Sequence, residues 1–156
     1  MALTTFILSA FLGVCAAAPA GDSQALGAVR TLDALHEAAS KADGPRYFSL
    51  FTEDAVFLGT DAAERWPISQ FKEYAGKRFA AGKGWTYVPK ERHLSFSPRG
   101  DTAWFDETLE NEKYGLCRGS GVLRKIKGEW KVAQYNLTVP IPNDLLEKVV
   151  GMIRGQ

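Results

Sequence analysis

The sequence predicts an α+β domain on three observations. Helical hydrophobic spacing dominates the chain from residue 22 to residue 81, broken by one short strand at Ala55 to Leu58; strand-like aromatic and β-branched runs follow Gly84, and glycine-bearing turns separate those runs. Helices followed by hairpin-linked strands make a long antiparallel sheet whose inner face the helices cover. A chain of 156 residues suits one such domain. With 46% hydrophobic and 24% charged residues it is neither disordered nor collagen-like, and two cysteines do not make a disulfide scaffold. The net charge of +1 lacks the basic surplus that a dedicated nucleic-acid binder needs to neutralise phosphates.

Residues 1–20 carry no Lys, Arg, Asp or Glu. An apolar run from Phe6 to Cys15 precedes the small residues Ala16 to Ala20. That layout predicts a secretory signal peptide cut before Gly21, with the domain at 21–156 periplasmic or secreted. Two alternatives stand beside it: an uncleaved apolar N-terminal helix, and lipidation at Cys15, where Leu12-Gly13-Val14-Cys15 faintly resembles a lipoprotein box. The run falls short of the roughly 20 apolar residues that span a bilayer, so no stable membrane insertion is expected after cleavage. Without Cys15, Cys117 is solitary and no intrachain disulfide forms.

Asp22 or Ser23 caps a first helix with Leu26, Val29, Leu32, Leu35, His36 and Ala39 at helical spacing. Asp43-Gly44-Pro45 breaks it, and Pro45 starts a short second helix through Phe51. Thr52-Glu53-Asp54 reads as a turn and Ala55 to Leu58 as a short buried strand. Gly59 to Arg65 is polar. Pro67 then opens a third helix to about Ala81, with an inner stripe of Phe71, Tyr74, Ala75, Arg78 and Phe79. Trp85–Phe96, Thr102–Tyr114, Leu116–Ile126 and Trp130–Val139 read as strands, joined by turns at Arg99-Gly100-Asp101, Lys113-Tyr114-Gly115 and Lys127-Gly128-Glu129. Pro140 to Asn143 ends the sheet. A short amphipathic C-terminal helix follows, carrying Leu145, Leu146, Val149, Val150 and Ile153.

The stretches Phe48 to Phe57, Leu58 to Trp66, Thr102 to Glu107, Arg118 to Leu123 and Gly128 to Val132 resemble the nuclear transport factor 2-like superfamily, in its SnoaL-like branch. The resemblance runs from about Leu26 to Asn143. It implies a cone-shaped, curved antiparallel sheet packed on N-terminal helices (the fold also called cystatin-like), and a homodimer through the open sheet face. The superfamily includes ketosteroid isomerases, dehydratases and polyketide cyclases. The isomerases place a general base just after the first strand, where this chain has Leu58 and Gly59, and its first acid thereafter is Asp61. The fold alone assigns no activity.

The residues themselves offer several candidates. Asp61 and Glu64 are i,i+3, so one helical turn brings both carboxylates to one side at the expected cavity mouth, where paired acids can divide acid and base roles. The same spacing also reads as a capping box, with Thr60 or Asp61 as cap and Arg65 pairing a carboxylate. Strand parity puts Trp130, Val132, Gln134 and Asn136 on one interior face, and Arg118, Ser120 and Val122 together on the preceding strand. It also turns Phe105 and Glu107 inward, where Arg118 would neutralise Glu107, either as a structural pair or as part of a site. His36 is a core histidine or an acid–base group. Trp66, Trp85 and Trp104 line a pocket or fill the core. Asp61, Glu64, His36 and Glu107 are thus the candidates for acid–base chemistry. Arg65, Trp66, Trp85, Arg118, Ser120, Gln134 and Asn136 are the candidates for holding a small, mostly apolar ligand. Two scattered histidines, with no Cys-x-x-Cys and no glycine-rich phosphate loop, point to neither a metal nor a cofactor. The function expected is cofactor-independent isomerase-, dehydratase- or cyclase-type chemistry in an exported protein. A non-catalytic dimeric binding or assembly domain is the alternative.

Overall fold

The computed structural model describes residues 20–155; the leader expectation and Cys15 fall on residues outside that range. The first helix, α1 (Ala20–Ser40), buries Ala28, Leu32, Leu35 and Ala39, spaced to form one stripe. Leu26, expected on that stripe, is exposed. Ala42 turns through the left-handed region (φ 55°). Asp43 then caps α2 (Gly44–Ser49), its Oδ1 accepting the Arg46 N–H at 3.1 Å.

The strand β1 (Phe51–Leu58) begins where a helix end and a turn were expected. Its start is held by the Val132 N–H donating to the Leu50 carbonyl and by register between Phe51 and Val132, so sheet pairing overrides the local turn signal. Arg65–Pro67 forms a short strand, β2, antiparallel to β1, and α3 (Ile68–Ala80) follows it. The strands β3 (Val88–Phe96), β4 (Thr102–Asn111), β5 (Gly115–Ile126) and β6 (Glu129–Thr138) make successive hairpins. The six-stranded order is β2-β1-β6-β5-β4-β3, and β1 runs parallel to β6. The sheet is therefore antiparallel throughout except at that one junction, where the chain returns beside its first strand.

The curved sheet packs its inner face on α1 and α3. Ala103, Phe105, Leu123, Trp130, Val132 and Tyr135 form the sheet side of the core, and Phe57 stacks on Phe71 of α3 at 4.0 Å. Gly84 lets the chain pass against the end of α1, since a Cβ there would overlap the Ala39 carbonyl. The Trp85 N–H donates to that carbonyl at 3.2 Å, which keeps Trp85 off the ladder and packs its ring on Phe79 at 4.6 Å. The last strands close with a 3-10 turn (Asn143–Leu145) and a short helix, α4 (Leu146–Arg154). Leu145, Leu146, Met152 and Ile153 of this end are exposed, and Val149 and Val150 are half-buried. Among the described residues no helix is long and apolar enough to cross a membrane.

Candidate functional site

Four elements meet at Glu107. The inner residues of β4 are Ala103, Phe105, Glu107 and Leu109, so alternation buries a carboxylate in an apolar row (0% exposed). A buried charge survives only if its lone pairs are engaged, and here they are. From α1, His36 Nε2 lies 2.7 Å from Glu107 Oε1. From β6, the Tyr135 hydroxyl donates to the same oxygen at 2.9 Å. From β3, Arg92 Nε donates to Oε2 at 2.7 Å. Arg92 Nη1 donates to Asp33 at 2.7 Å, one turn before His36 on α1, while Arg92 Nη2 is buried with no partner among the described residues. Burial pushes the Glu107 carboxyl up, but the His36 hydrogen bond and the charges of His36 and Arg92 more than offset it and hold Glu107 below the usual carboxylate range. Burial and the Glu107 charge push Tyr135 well above the ordinary phenol range, so it stays a donor.

Register builds this cluster. Arg92 and Gly119 stand opposite Glu107 on its two neighbouring strands. The missing side chain at Gly119 is required: a Cβ there would meet both the Tyr135 hydroxyl and Glu107 Oε1.

A β-bulge supplies Tyr135. Leu123 pairs with Val132 while Val122 pairs with Gln134, leaving Ala133 as an extra residue in β6. Trp130 and Val132 face inward as alternation requires; beyond the bulge the parity flips, so Tyr135 and Leu137 face inward and Gln134 and Asn136 face out. The expectation that these amides face the interior is corrected on that ground. Arg118 and Ser120 are also on the outer face, because Cys117, Gly119 and Gly121 are the buried residues of β5. Arg92, not Arg118, therefore neutralises Glu107.

His36 is one wall of a chamber of about 20 Å³, lined also by Leu35, Tyr47, Trp85, Tyr87 and Tyr135. Phe57, Trp85, Tyr87 and Leu137 are shared with an outer cavity of about 270 Å³. Its wall adds Thr60, Glu64, Trp66, Tyr74 and Arg78. Trp66 pairs across strands with Phe57 and stacks on Tyr74 at 5.4 Å. Burial, with the nearby Cys117 and Tyr114, pushes the Tyr87 phenol up to about 12.

The acidic stretch behaves differently. No helical turn forms over residues 60–64. Asp61 Oδ1 accepts the Ala63 N–H at 2.8 Å, and Glu64 accepts the Asp61 N–H at 3.3 Å while lining the mouth. Asp61 and Arg65 are exposed, and neither lines the inner chamber or the outer cavity. Trp104 is on the outer face, 52% exposed.

The structure thus brings His36 and Glu107 together, and Glu64, Trp66 and Trp85 at the mouth. It adds Arg92, Tyr135 and Tyr47, which sequence reasoning passed over. Arg92 was legible: it alternates with the exposed His93 and shares a face with Leu94 and Phe96. Tyr135 was hidden by the bulge. Among the described residues no group of three or more His, Cys, Asp or Glu side chains is placed to hold a metal ion.

The SnoaL-like domain family matches residues 29–142. No curated protein matches the chain in sequence. Among solved structures it is similar to an NTF2-like protein of Streptomyces avermitilis provisionally named a dehydratase (15% identity, TM-score 0.67, covering 78% of this chain and 99% of that one). Two proteins of Novosphingobium aromaticivorans are also similar. One is provisionally named a scytalone dehydratase (11% identity, TM-score 0.65, 78% and 87% covered). The other is provisionally named an aromatic ring hydroxylase (20% identity, TM-score 0.64, 78% and 92% covered). At such identities the likeness is one of fold. With the family matched over most of its length, and with this sheet order and helix placement, the chain belongs to the SnoaL-like domain family and has the NTF2-like fold.

Proposed function

We propose that the protein binds a small, mostly apolar ligand in the paired cavities and performs cofactor-independent acid–base chemistry on it with His36 as base. The observation that carries this reading is the 2.7 Å His36–Glu107 contact in the wall of a chamber that shares Phe57, Trp85, Tyr87 and Leu137 with an aromatic outer cavity. A carboxylate at Nε2 fixes the imidazole ring, keeps its Nε2 protonated and stabilises the imidazolium that forms when Nδ1 takes a proton. Glu107 acts here as a positioning residue, held ionised by Arg92. Isomerase-, dehydratase- or cyclase-type steps all need such a base and no redox group.

A screen of small cyclic compounds, read by quenching of Trp66 and Trp85 fluorescence, tests the binding half. For a ligand that is turned over, His36→Asn should retain binding and lose at least a hundredfold in kcat, within the range for loss of a general base. Unchanged kcat would remove His36 from the chemistry.

Export of the chain rests on the apolar segment Phe6 to Cys15 with the small residues after it, and fractionation of expressing cells tests it. The second reading, a non-catalytic dimeric binding or assembly domain, is favoured by the open outer sheet face, where Trp104 is 52% and Leu116 59% exposed. Light scattering at micromolar concentration decides between a monomer and a dimer.

A further inference from the structure

Two apolar surfaces of the chain are left open by its own packing. The first is on α4. Leu146, Val149, Val150 and Ile153 stand at i, i+3, i+4 and i+7 and make one apolar face, which Leu145 and Met152 widen. Among the described residues α4 packs chiefly on the 3-10 turn that leads into it, and Met152 and Ile153 are 69% and 77% exposed. The second is a groove of about 410 Å³ between α2 and α3, which shares no lining residue with the inner chamber or the outer cavity. Gly44, Phe48, Gly76, Phe79 and Ala80 line it, and Lys72 is the one charged residue in its wall. Gly76 lies inside α3, where glycine is less stable than alanine, yet a Cβ there would meet nothing within 4 Å. The chain's own packing does not require that glycine; a body seated in the groove would.

We propose that α4 of one copy of the chain seats in the α2–α3 groove of a second copy, and that the exchange is reciprocal, closing a two-fold dimer. The lengths agree: the groove follows α3 from Lys72 to Ala80, about 12 Å of helix, and α4 has nine residues, about 13.5 Å. The apolar anchors at i, i+3, i+4 and i+7 are the pattern by which an amphipathic helix enters an apolar groove. The charges agree as well. From Lys72 to Lys83 the chain carries four cations and one anion, whereas the entry to α4 is acidic, with Asp144 in the preceding turn and Glu147 in its first. Seating α4 with Glu147 toward Lys72 pairs those charges at the rim and leaves the apolar face over Phe48, Gly76 and Phe79. This interface does not depend on what the cavities bind, and it is separate from the outer sheet face.

The test is sedimentation velocity on the full chain, from about 1 to about 100 μM. Ile153→Asp places a charge on the docking face at an exposed position, and Gly76→Leu fills the groove from a position with open space, so each variant should keep its fold, checked by circular dichroism. The proposal expects a wild-type dimer, and at least a tenfold rise in its Kd in each variant. Trp104→Asp, on the outer sheet face, should change the Kd by less than threefold. A wild type that stays monomeric across the range overturns the proposal. So does a dimer that Gly76→Leu leaves unchanged, or one that only Trp104→Asp breaks, since the sheet face would then be the interface. Should Gly76→Leu not fold, a charge exchange decides. Lys72→Glu and Glu147→Lys should each weaken the dimer at least threefold, and the two together should restore it; a double variant no tighter than either single one overturns the proposal.

Discussion

The Asp61–Glu64 loop and the buried Glu107 are two carboxylate sites built in opposite ways. Asp61 and Glu64 lie three residues apart in one loop, Asp61 exposed and Glu64 partly so, and both spend their oxygens on backbone N–H groups of the same loop. Glu107 has acidic neighbours in sequence too, but alternation turns Asp106 and Glu110 outward; Glu107 alone is buried, and it is satisfied by side chains 71, 28 and 15 residues away. Neighbouring acids in a loop most readily bond their own backbone, which is the cheapest donor within reach. A buried carboxylate must recruit donors from other elements, so the fold has to be built around it.

The largest expected difference between the two places is in stability. Glu107→Ala would leave the largely buried Arg92 with only the exposed Asp33 as counter-charge, and free the hydrogen bonds of His36 and Tyr135. Breaking a buried pair by removing one partner costs about 3–5 kcal/mol. Urea unfolding of the variant should show that loss; a cost below about 1 kcal/mol, the level of an exposed pair, would mean that Glu107 is held no better than a surface acid.

Gly119→Ala should come next. The added methyl would wedge between the Tyr135 hydroxyl and Glu107, and overpacking of this kind costs about 1–3 kcal/mol. Ser120→Ala, one residue along on the outer face, should change stability by no more than about 0.5 kcal/mol. Equal costs at the two positions would contradict the inward placement of Gly119.

Acid should separate the two places further. The folded pKa of Glu107 is depressed, so its contribution is present above the unfolded glutamate value, about 4.3, and is lost as pH falls through the folded value. The groups facing it are His36 of α1, Tyr135 of β6 and Arg92 of β3, with Asp33 bound to the far side of Arg92. Unfolding free energy followed from pH 6 downward should therefore fall less steeply in Glu107→Gln than in the wild type. Identical pH profiles would show that folding does not depress the Glu107 pKa.

These contrasts also mark what the sequence makes legible. Helix order, hairpin order and the inward turn of Phe105 and Glu107 follow from local periodicity, and local periodicity is what strands and helices obey. The partners of Glu107 are a matter of register. Arg92 sits opposite Glu107 because of where the hairpin closes, and Tyr135 faces inward because Ala133 is an extra residue in β6. No local signal at Ala133 announces the bulge, and one unpaired residue reverses every side chain after it. The face of Gln134 and Asn136 was missed for that reason, and the start of β1 was missed because its pairing with β6 outweighs the turn propensity of Thr52-Glu53-Asp54.

The smallest expected effect is the one that tests the loop reading most directly. Asp61→Asn keeps an oxygen where Asp61 Oδ1 accepts the Ala63 N–H, and Glu64→Gln keeps one facing the Asp61 N–H, so both turns survive without charge. Each change should move stability by less than about 0.5 kcal/mol, as at other exposed positions. Asp61→Ala removes the acceptor and should cost more, about 0.5–1.5 kcal/mol, the worth of one hydrogen bond. If Asp61→Asn were instead as harmful as Asp61→Ala, the charge rather than the hydrogen bond would matter at this loop. The acids at the mouth would then have to be counted with His36 and Glu107 as part of the site.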